Sequence, residues 1–179
     1  MGKNVLVVSA SLRPTSNSHA LALAFAEGAR EAGHDVETVS LRGKRIEFCR
    51  GCLACQAGAA CPLKDDAAAI VERIVAADAI AFATPIYFFE MAGQMKTLLD
   101  RSNPAYAADP AFRDVYLLAT AADETPMRST GRRRDCRLGR LLRAGTPRGR
   151  GDRHEVDAPG AIEKRLHEVN RARLMGCGV

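Results

Sequence analysis

From Lys3 to about residue 120, the chain alternates between short apolar runs and longer segments with one apolar face. Four runs have the β-branched or alternating composition of strands, at residues 3–8, 35–41, 79–84 and 114–120. Helical spacing or composition marks the segments 19–34, 65–78 and 93–101, and a terminal helix is predicted within 159–176. The first helix is expected to end at Gly33, a residue type that commonly follows the last helical turn.

Alternating strands and helices predict one α/β domain with a doubly wound parallel sheet. Right-handed crossovers would place helices on both faces of the sheet. Ligands of such sheets bind beyond the carboxyl ends of the strands, so the loops of interest are 9–18, 84–92 and 120–127. The pair Thr84-Pro85 is predicted to end the third strand, because proline cannot donate a ladder hydrogen bond.

The pattern changes after residue 127. Residues 128–153 hold ten arginines, no lysine and no apolar run long enough for a central strand. We therefore divide the chain into a body at 1–127, an atypical Arg-rich segment at 128–155 and a C-terminal helix at 156–179. Our hypothesis is that the Arg-rich segment comes from an out-of-frame or divergent stretch. Comparing the three translation frames of the encoding DNA tests it, and it fails if no other frame yields a β-rich segment.

The chain has a net charge of +5, and its basic excess lies in the Arg-rich segment. Residues 1–127 hold 12 basic and 15 acidic residues, 128–153 hold 10 and 2, and 154–179 hold 4 and 4. Nucleic-acid binding is disfavoured, since no aromatic residues are interleaved with these arginines and no helical period aligns them. The apolar run Val5–Val8 is too short for a signal peptide or a membrane span. We expect a cytoplasmic protein with reduced thiols and no membrane partner.

The polar loop after the first strand, "SASLRPTSNS", has groups that suit a phosphate monoester. It offers hydroxyls, an amide and a guanidinium at the start of a helix, where backbone N–H groups favour anions. The glycines and the lysine of a nucleoside triphosphate loop are absent. The alternative is a simple polar turn in which Ser16 or Asn17 caps the helix.

The loop after the third strand, "TPIYFFEM", places three aromatic residues together in a chain with nine. A planar ring would stack well on such a loop. The alternative is that these side chains cover the end of the sheet or form a dimer contact.

Together, "SLRPTSNS" and "TPIYFFEMAGQMKTLLDR" resemble the NADPH-dependent FMN reductase family, which has a flavodoxin-like fold. The resemblance covers residues 3 to about 126, with Ala10 standing where relatives commonly have glycine. It implies that the FMN phosphate is bound by Ser11, Arg13, Ser16, Asn17 and Ser18. It also implies that the isoalloxazine ring contacts Thr84, Pro85, Ile86, Tyr87 and Phe88, with further contacts from Thr120 and Ala121.

The resemblance implies an oxidoreductase that moves electrons from NAD(P)H through FMN to a flavin, a quinone or a protein acceptor. Hydride transfer to the flavin needs orientation rather than a charged side chain, so no catalytic residue is assigned. The resemblance also favours a homodimer or homotetramer. The alternative from another class is a non-catalytic flavin-binding or interaction protein with an impaired C-terminus.

Four cysteines lie within thirteen residues, with the spacing C-x2-C-x2-C-x5-C: Cys49, Cys52, Cys55 and Cys61. Such a run suits a cubane cluster, while reduced-thiol packing and a zinc ion remain open. The spacing resembles the iron-sulfur flavoproteins of the same wider family, which implies a [4Fe-4S] cluster beside FMN; the alternative is an FMN reductase without a cluster. The carboxylates of Asp65 and Asp66 are predicted to cap the next helix.

Overall fold

The computed structural model describes residues 2–121 and 160–179, except for the side chains of residues 163 and 164. Its strands are β1 (Asn4–Ser9), β2 (Asp35–Ser40), β3 (Ala79–Tyr87), β4 (Glu90–Met91) and β5 (Asp114–Thr120). Its α-helices are α1 (Asn17–Glu31), α2 (Ala67–Ala76), α3 (Gly93–Arg101), α4 (Pro104–Ala107) and α5 (Leu166–Cys177). A 3₁₀ helix, Ala161–Lys164, precedes α5.

Four strands form a parallel sheet in the order β2-β1-β3-β5. The short β4 pairs antiparallel with the end of β3. This order confirms the predicted α/β, flavodoxin-like fold. The predicted Arg-rich segment 128–155, and with it the question of a fifth parallel strand, lies outside the described residues.

Two hydrophobic cores lie on opposite faces of the sheet, because successive strand residues point to opposite sides. Val5 and Val7 face α1 and α5, whereas Leu6 and Val8 face α2 and α3. The β3 residues in the core on the α1 side are the alanines at 79, 81 and 83. These small side chains let α1 pack closely against the middle of the sheet.

The end of α1 follows the sequence prediction. The helix stops at Glu31, and Gly33 has a φ of 85°. The N–H of Gly33 donates to the Arg30 carbonyl at 2.9 Å, and the N–H of His34 donates to the Ala29 carbonyl at 3.1 Å. This pair of bonds is a Schellman motif, which satisfies carbonyls that the helix leaves unpaired.

The prediction that Thr84-Pro85 ends the third strand is wrong, because β3 continues to Tyr87. The carbonyl of Ala83 faces β1 and accepts the Ala10 N–H at 2.9 Å. Residues two apart in a strand direct their backbone groups to the same side, so the backbone of Pro85 also faces the β1 side. β1 has already ended at that level, so the missing N–H of Pro85 costs no ladder bond. The Pro85 carbonyl instead accepts the Ala92 N–H at 3.2 Å.

Candidate functional site

Three loops meet at one edge of the sheet because β1, β3 and β5 are parallel neighbours. β1 is also the strand where the order reverses, with β2 on one side and β3 on the other. The bond from Ala10 N–H to the Ala83 carbonyl joins the first two strand ends, and Pro85 lies opposite Thr120 in the ladder to β5. A ligand crevice is expected at such a reversal.

The first loop, residues 10–18, forms the N-terminus of α1. Ser16 is the N-cap, and its hydroxyl accepts the His19 N–H at 3.3 Å and lies 3.1 Å from the Ser18 hydroxyl. The first turn of the helix has no acidic residue. The helix dipole therefore makes this site electropositive, and no carboxylate of the first helical turn opposes an anion.

The predicted phosphate-binding side chains divide into an inner and an outer group. Ser11, Ser16 and Ser18 are buried, whereas Arg13 is exposed. Within the described residues, the guanidinium of Arg13 makes no hydrogen bond or ion pair, so it can bind an external anion. The Asn17 side chain accepts the Ile162 N–H at 3.1 Å, which ties the loop to the C-terminal segment.

Ala10, the departure from relatives, fits this loop without strain. It is fully buried in the core on the α2 side, and it is not among the described residues with positive φ. An L-residue with a side chain is therefore acceptable at this position.

His19 was not predicted as part of the site. Its Nδ1 lies 3.0 Å from the hydroxyl of Ser9, which is fully buried at the end of β1. Burial, and then the nearby charge of Arg42, lower the pKa of His19. The imidazole therefore stays neutral near pH 7 and serves as a hydrogen-bond partner inside the loop. The sequence signal that could have identified His19 is its position in the first turn of the first helix, next to the predicted phosphate loop.

The second loop is a β-hairpin whose two central residues are both phenylalanines. Tyr87 and Glu90 are paired, and Phe88 and Phe89 have φ of 47° and 66°. A two-residue hairpin of type I′ needs positive φ at both positions, which glycine and asparagine adopt most easily. Each phenylalanine there costs on the order of 1–3 kcal/mol, and such strain tends to occur at functional sites.

The hairpin presents aromatic rings to solvent beside the strand ends. Phe88 is 97% exposed, Tyr87 is 49% exposed, and Ile86 is half-buried. Thr84 is fully buried; its hydroxyl donates to the Pro85 carbonyl at 2.9 Å and accepts the Ala92 N–H at 3.0 Å. Thr84 therefore fixes the hairpin from inside, while the exposed aromatics offer the stacking surface.

The third strand end contributes Thr120 and Ala121, which are both half-buried. They lie next to Pro85 across the ladder, so they share the edge with the other predicted ring contacts. The rest of the predicted loop, from residue 122 onwards, lies outside the described residues.

The four clustered cysteines line one open pocket together with Arg101 and Asn103. Gly51 and Leu53 have φ of 65° and 58°, so the backbone turns sharply on both sides of Cys52. The sulfur of Cys49 accepts the Gly51 N–H at 3.5 Å, and the Asn103 amide lies 3.8 Å from it. The pocket thus gathers four thiols from thirteen residues of chain.

Arg101, which lines this pocket, belongs to a buried ion pair. Asp65 and Arg101 have side chains that are 0% and 2% exposed, and they pair through two bonds of 2.6 and 3.0 Å. Burial is the largest influence on the Asp65 carboxyl and opposes its ionisation, but the bonds from Arg101 and from the N–H groups of Glu47 and Ala67 outweigh it. The pKa of Asp65 therefore lies below its usual value.

Asp65 thus does more than the predicted helix capping. It accepts the Ala67 N–H at 3.1 Å, as a cap would, but it also anchors Arg101 and the Glu47 N–H. The N-cap itself is Asp66, whose side chain accepts the Arg45 N–H at 2.8 Å rather than an N–H of α2.

Within residues 2–121 and 160–179, no three His, Cys, Asp or Glu side chains are positioned as metal ligands. The four thiols are thus collected in one pocket without forming a closed ligand set. In the same part of the chain, no helix has both the length and the apolar composition needed to cross a bilayer.

Comparison with known proteins gives a family match over most of the chain. The family model for NADPH-dependent FMN reductases matches residues 3–133. A Bacillus subtilis protein named as an NAD(P)H-dependent FMN-containing oxidoreductase, YwqN, is 30% identical over 128 residues, which cover 66% of this chain and 67% of that protein.

Other relatives are named iron-sulfur flavoproteins. One from Methanocaldococcus jannaschii is 35% identical over 100 residues, covering 56% of this chain and 52% of that protein. The chain spans about half the length of such curated relatives or less.

Solved structures show the same fold. An NAD(P)H:quinone oxidoreductase from Methanothermobacter marburgensis superposes with a TM-score of 0.69 at 22% identity, covering 99% of this chain and 98% of that one.

Proposed function

Because the chain belongs to the NADPH-dependent FMN reductase family, we propose that it binds FMN and passes electrons from NAD(P)H to a flavin, a quinone or another acceptor. The observation that carries the proposal is the meeting of two loops at one sheet edge. An electropositive helix N-terminus, with an arginine whose guanidinium has no partner among the described residues, lies beside a strained aromatic hairpin. Together they match the phosphate end and the flat ring of a flavin mononucleotide.

Each part of the edge would do a separate task. Arg13 and the α1 N-terminus would bind the phosphate, with Ser11, Ser16 and Ser18 as the inner wall. Tyr87 and Phe88 would stack against the ring, while Thr84 keeps the hairpin in place. When bound, FMN supplies hydride acceptance at its N5 atom and onward electron transfer, and the protein supplies orientation and exclusion of water.

We also propose that the cysteine pocket holds a [4Fe-4S] cluster. Four thiols in one pocket form a donor set of the right number and softness for such a cluster. The relatives' names support the proposal, since several are iron-sulfur flavoproteins. The positions of the thiols relative to one another favour the alternative, an FMN reductase without a cluster, because they form no ligand set in this structure.

A single anaerobic absorbance experiment tests both proposals. The protein is loaded with FMN, iron and sulfide, freed of excess reagents, and titrated with NADH and then NADPH. We expect a flavin doublet with a broad sulfur-to-iron shoulder, and loss of the doublet on adding one of the nucleotides. A bound flavin that neither nucleotide reduces would contradict the oxidoreductase proposal.

Two cysteine variants identify the origin of the shoulder. Cys52→Ser should remove it and leave the flavin doublet intact. Cys177→Ser is the matched control, because Cys177 is exposed near the end of α5 and is not among the residues that line the pocket. A shoulder that is absent from the parent protein, or that survives Cys52→Ser, would favour the reductase without a cluster.

A further inference from the structure

Arg101 is a buried cation in contact with the cysteine pocket. Its Nη2 atom lies 3.5 Å from the sulfur of Cys61 and 3.0 Å from Oδ1 of Asp65. Its Nη1 atom donates to the Glu47 carbonyl at 2.9 Å. A guanidinium is planar, so these bonds fix its orientation toward the sulfur.

The four cysteines differ in what they contact. Cys61 receives a hydrogen bond from a charged donor, whereas the groups that contact Cys49 are a backbone N–H and the amide of Asn103. In the part of the chain that the structure describes, the sulfurs of Cys52 and Cys55 receive no hydrogen bond. Hydrogen bonds and charges at the sulfurs are among the factors that set the potential of an iron-sulfur cluster.

The ion pair places its two charges asymmetrically with respect to Cys61. Arg101 donates to the sulfur, while the two carboxylate oxygens of Asp65 accept from both Nη atoms of Arg101 and from the N–H groups of Glu47 and Ala67. Asp65 therefore neutralises the buried cation and orients it, but it does not reach the thiol. The charged group that donates a hydrogen bond to the Cys61 sulfur is therefore the cation.

We propose that Arg101, held in place by Asp65, is a positioning residue that raises the reduction potential of a cluster bound through Cys61. This inference rests on the proposed cluster. Reduction adds one electron, supplied by the reduced flavin, and makes the cluster more negative by one charge without forming or breaking a bond. A fixed positive charge and an N–H donor at one sulfur stabilise that reduced form more than the oxidised form.

The test is a redox titration of reconstituted, FMN-loaded protein, with the reduced cluster followed by electron paramagnetic resonance. The double variant Asp65→Asn/Arg101→Gln replaces the ion pair by two neutral amides and leaves no buried charge unpaired. We expect its midpoint potential to fall, so that the ratio of reduced to oxidised cluster at a fixed potential drops by about tenfold, or about 59 mV for one electron. Asp65→Asn alone keeps the cation and removes its counter-charge, so the midpoint should rise.

Midpoint potentials that shift in opposite directions in the two variants would identify the charge of Arg101 as the cause. A loss of structural support around the cluster would shift both midpoints in the same direction. Arg73→Gln is the control, since Arg73 is a half-exposed arginine paired with Glu37 on the surface at 2.8 Å. Its midpoint should equal that of the parent protein.

Three results would overturn the inference. A double variant that holds the cluster at the parent midpoint refutes the inference alone and leaves the cluster proposal intact. A double variant that loses its cooperative unfolding transition assigns Arg101 a structural role instead. A parent protein that takes up no cluster refutes the cluster proposal itself and the inference with it.

Discussion

At the scale of single residues, Asp65 shows how a buried carboxylate remains charged. Burial alone would favour the protonated form, yet two backbone N–H groups and a guanidinium donate to the carboxylate. Removing one partner of such a pair costs roughly 3–5 kcal/mol, because the other charge is then left unpaired. The pair also joins chain segments that are 36 residues apart.

The low pKa of Asp65 predicts acid sensitivity. An aspartate in the unfolded chain takes up its proton at about pH 3.9. In the folded protein the pKa of Asp65 is lower, so this carboxylate takes up its proton only at lower pH. Between these values the unfolded state binds more protons, so the free energy of unfolding falls as the pH falls through this range. We expect Asp65→Asn to be less stable at pH 7 but to lose stability less steeply below pH 4, as measured by urea unfolding.

Asp100→Asn is the matched control, because Asp100 forms an exposed i,i+4 pair with Lys96 on α3. Such pairs contribute only about 0.3–0.5 kcal/mol. Equal acid slopes in the parent protein and Asp65→Asn would contradict the assignment of acid sensitivity to Asp65.

Sequence reasoning located Asp65 but not its partner. The position of Asp65 just before an apolar helical segment predicted a cap, and that local role is present. The ion pair with Arg101 depends on how α3 packs against the cysteine segment, which no local pattern encodes. For the same reason, no local pattern predicted the hydrogen bond between Asn17 and Ile162, which lie 145 residues apart.

At the scale of elements, α1 and α5 pack at very close range through two glycines. A Cβ atom at Gly176 would lie 2.0 Å from the Phe25 carbonyl oxygen, and one at Gly28 would lie 2.0 Å from that of Arg173. An exposed bidentate ion pair between Arg173 and Glu31 lies at the same contact. The two glycines thus let the helix backbones approach where larger residues could not fit.

This contact predicts that Gly176→Ala destabilises the protein. Alanine favours a helix interior over glycine by about 1 kcal/mol, but the clash with backbone atoms cannot be relieved by a rotamer change. Overpacking of this kind costs about 1–3 kcal/mol, so we expect a net loss in thermal or urea unfolding.

Gly178→Ala provides the comparison, because a Cβ there would meet its nearest atoms at an ordinary 3.6 Å and its φ of −91° suits alanine. It should leave stability nearly unchanged. If both variants unfold like the parent protein, α5 does not pack on α1 in this way.

Strands and helices were predictable where the apolar period was clear, and turns were not. The apolar runs of β1 and β3 and the alternation along β2 placed those strands, and the apolar spacing of α2 placed that helix. The hairpin at 88–89 escaped prediction because its central residues are phenylalanines, whereas glycine and asparagine are the usual signal for positive φ. The site therefore includes a turn that breaks the local rules, as strained functional segments often do.

At the scale of the whole molecule, the proposed FMN site depends on the carboxyl edge of the parallel sheet. The strand order β2-β1-β3-β5 brings residues near 11–18, 84–88 and 120–121 together, although they are distant in sequence. The alternating pattern predicted this meeting, because parallel neighbours end at the same edge. The prediction for the Arg-rich segment 128–155 remains a prediction, since it lies outside the described residues.

The central claim is that this edge binds the phosphate of FMN at Arg13 and the α1 N-terminus. Its most direct test compares the Kd of FMN with that of riboflavin, which lacks the phosphate, by flavin fluorescence quenching. We expect FMN to bind more tightly to the parent protein, and Arg13→Gln to weaken FMN by roughly 10- to 100-fold, the worth of a charged hydrogen bond, without affecting riboflavin.

Arg30→Gln, at the opposite end of α1, should change neither constant. Equal affinity for FMN and riboflavin in the parent protein, or an FMN affinity that Arg13→Gln leaves unchanged, would contradict the account.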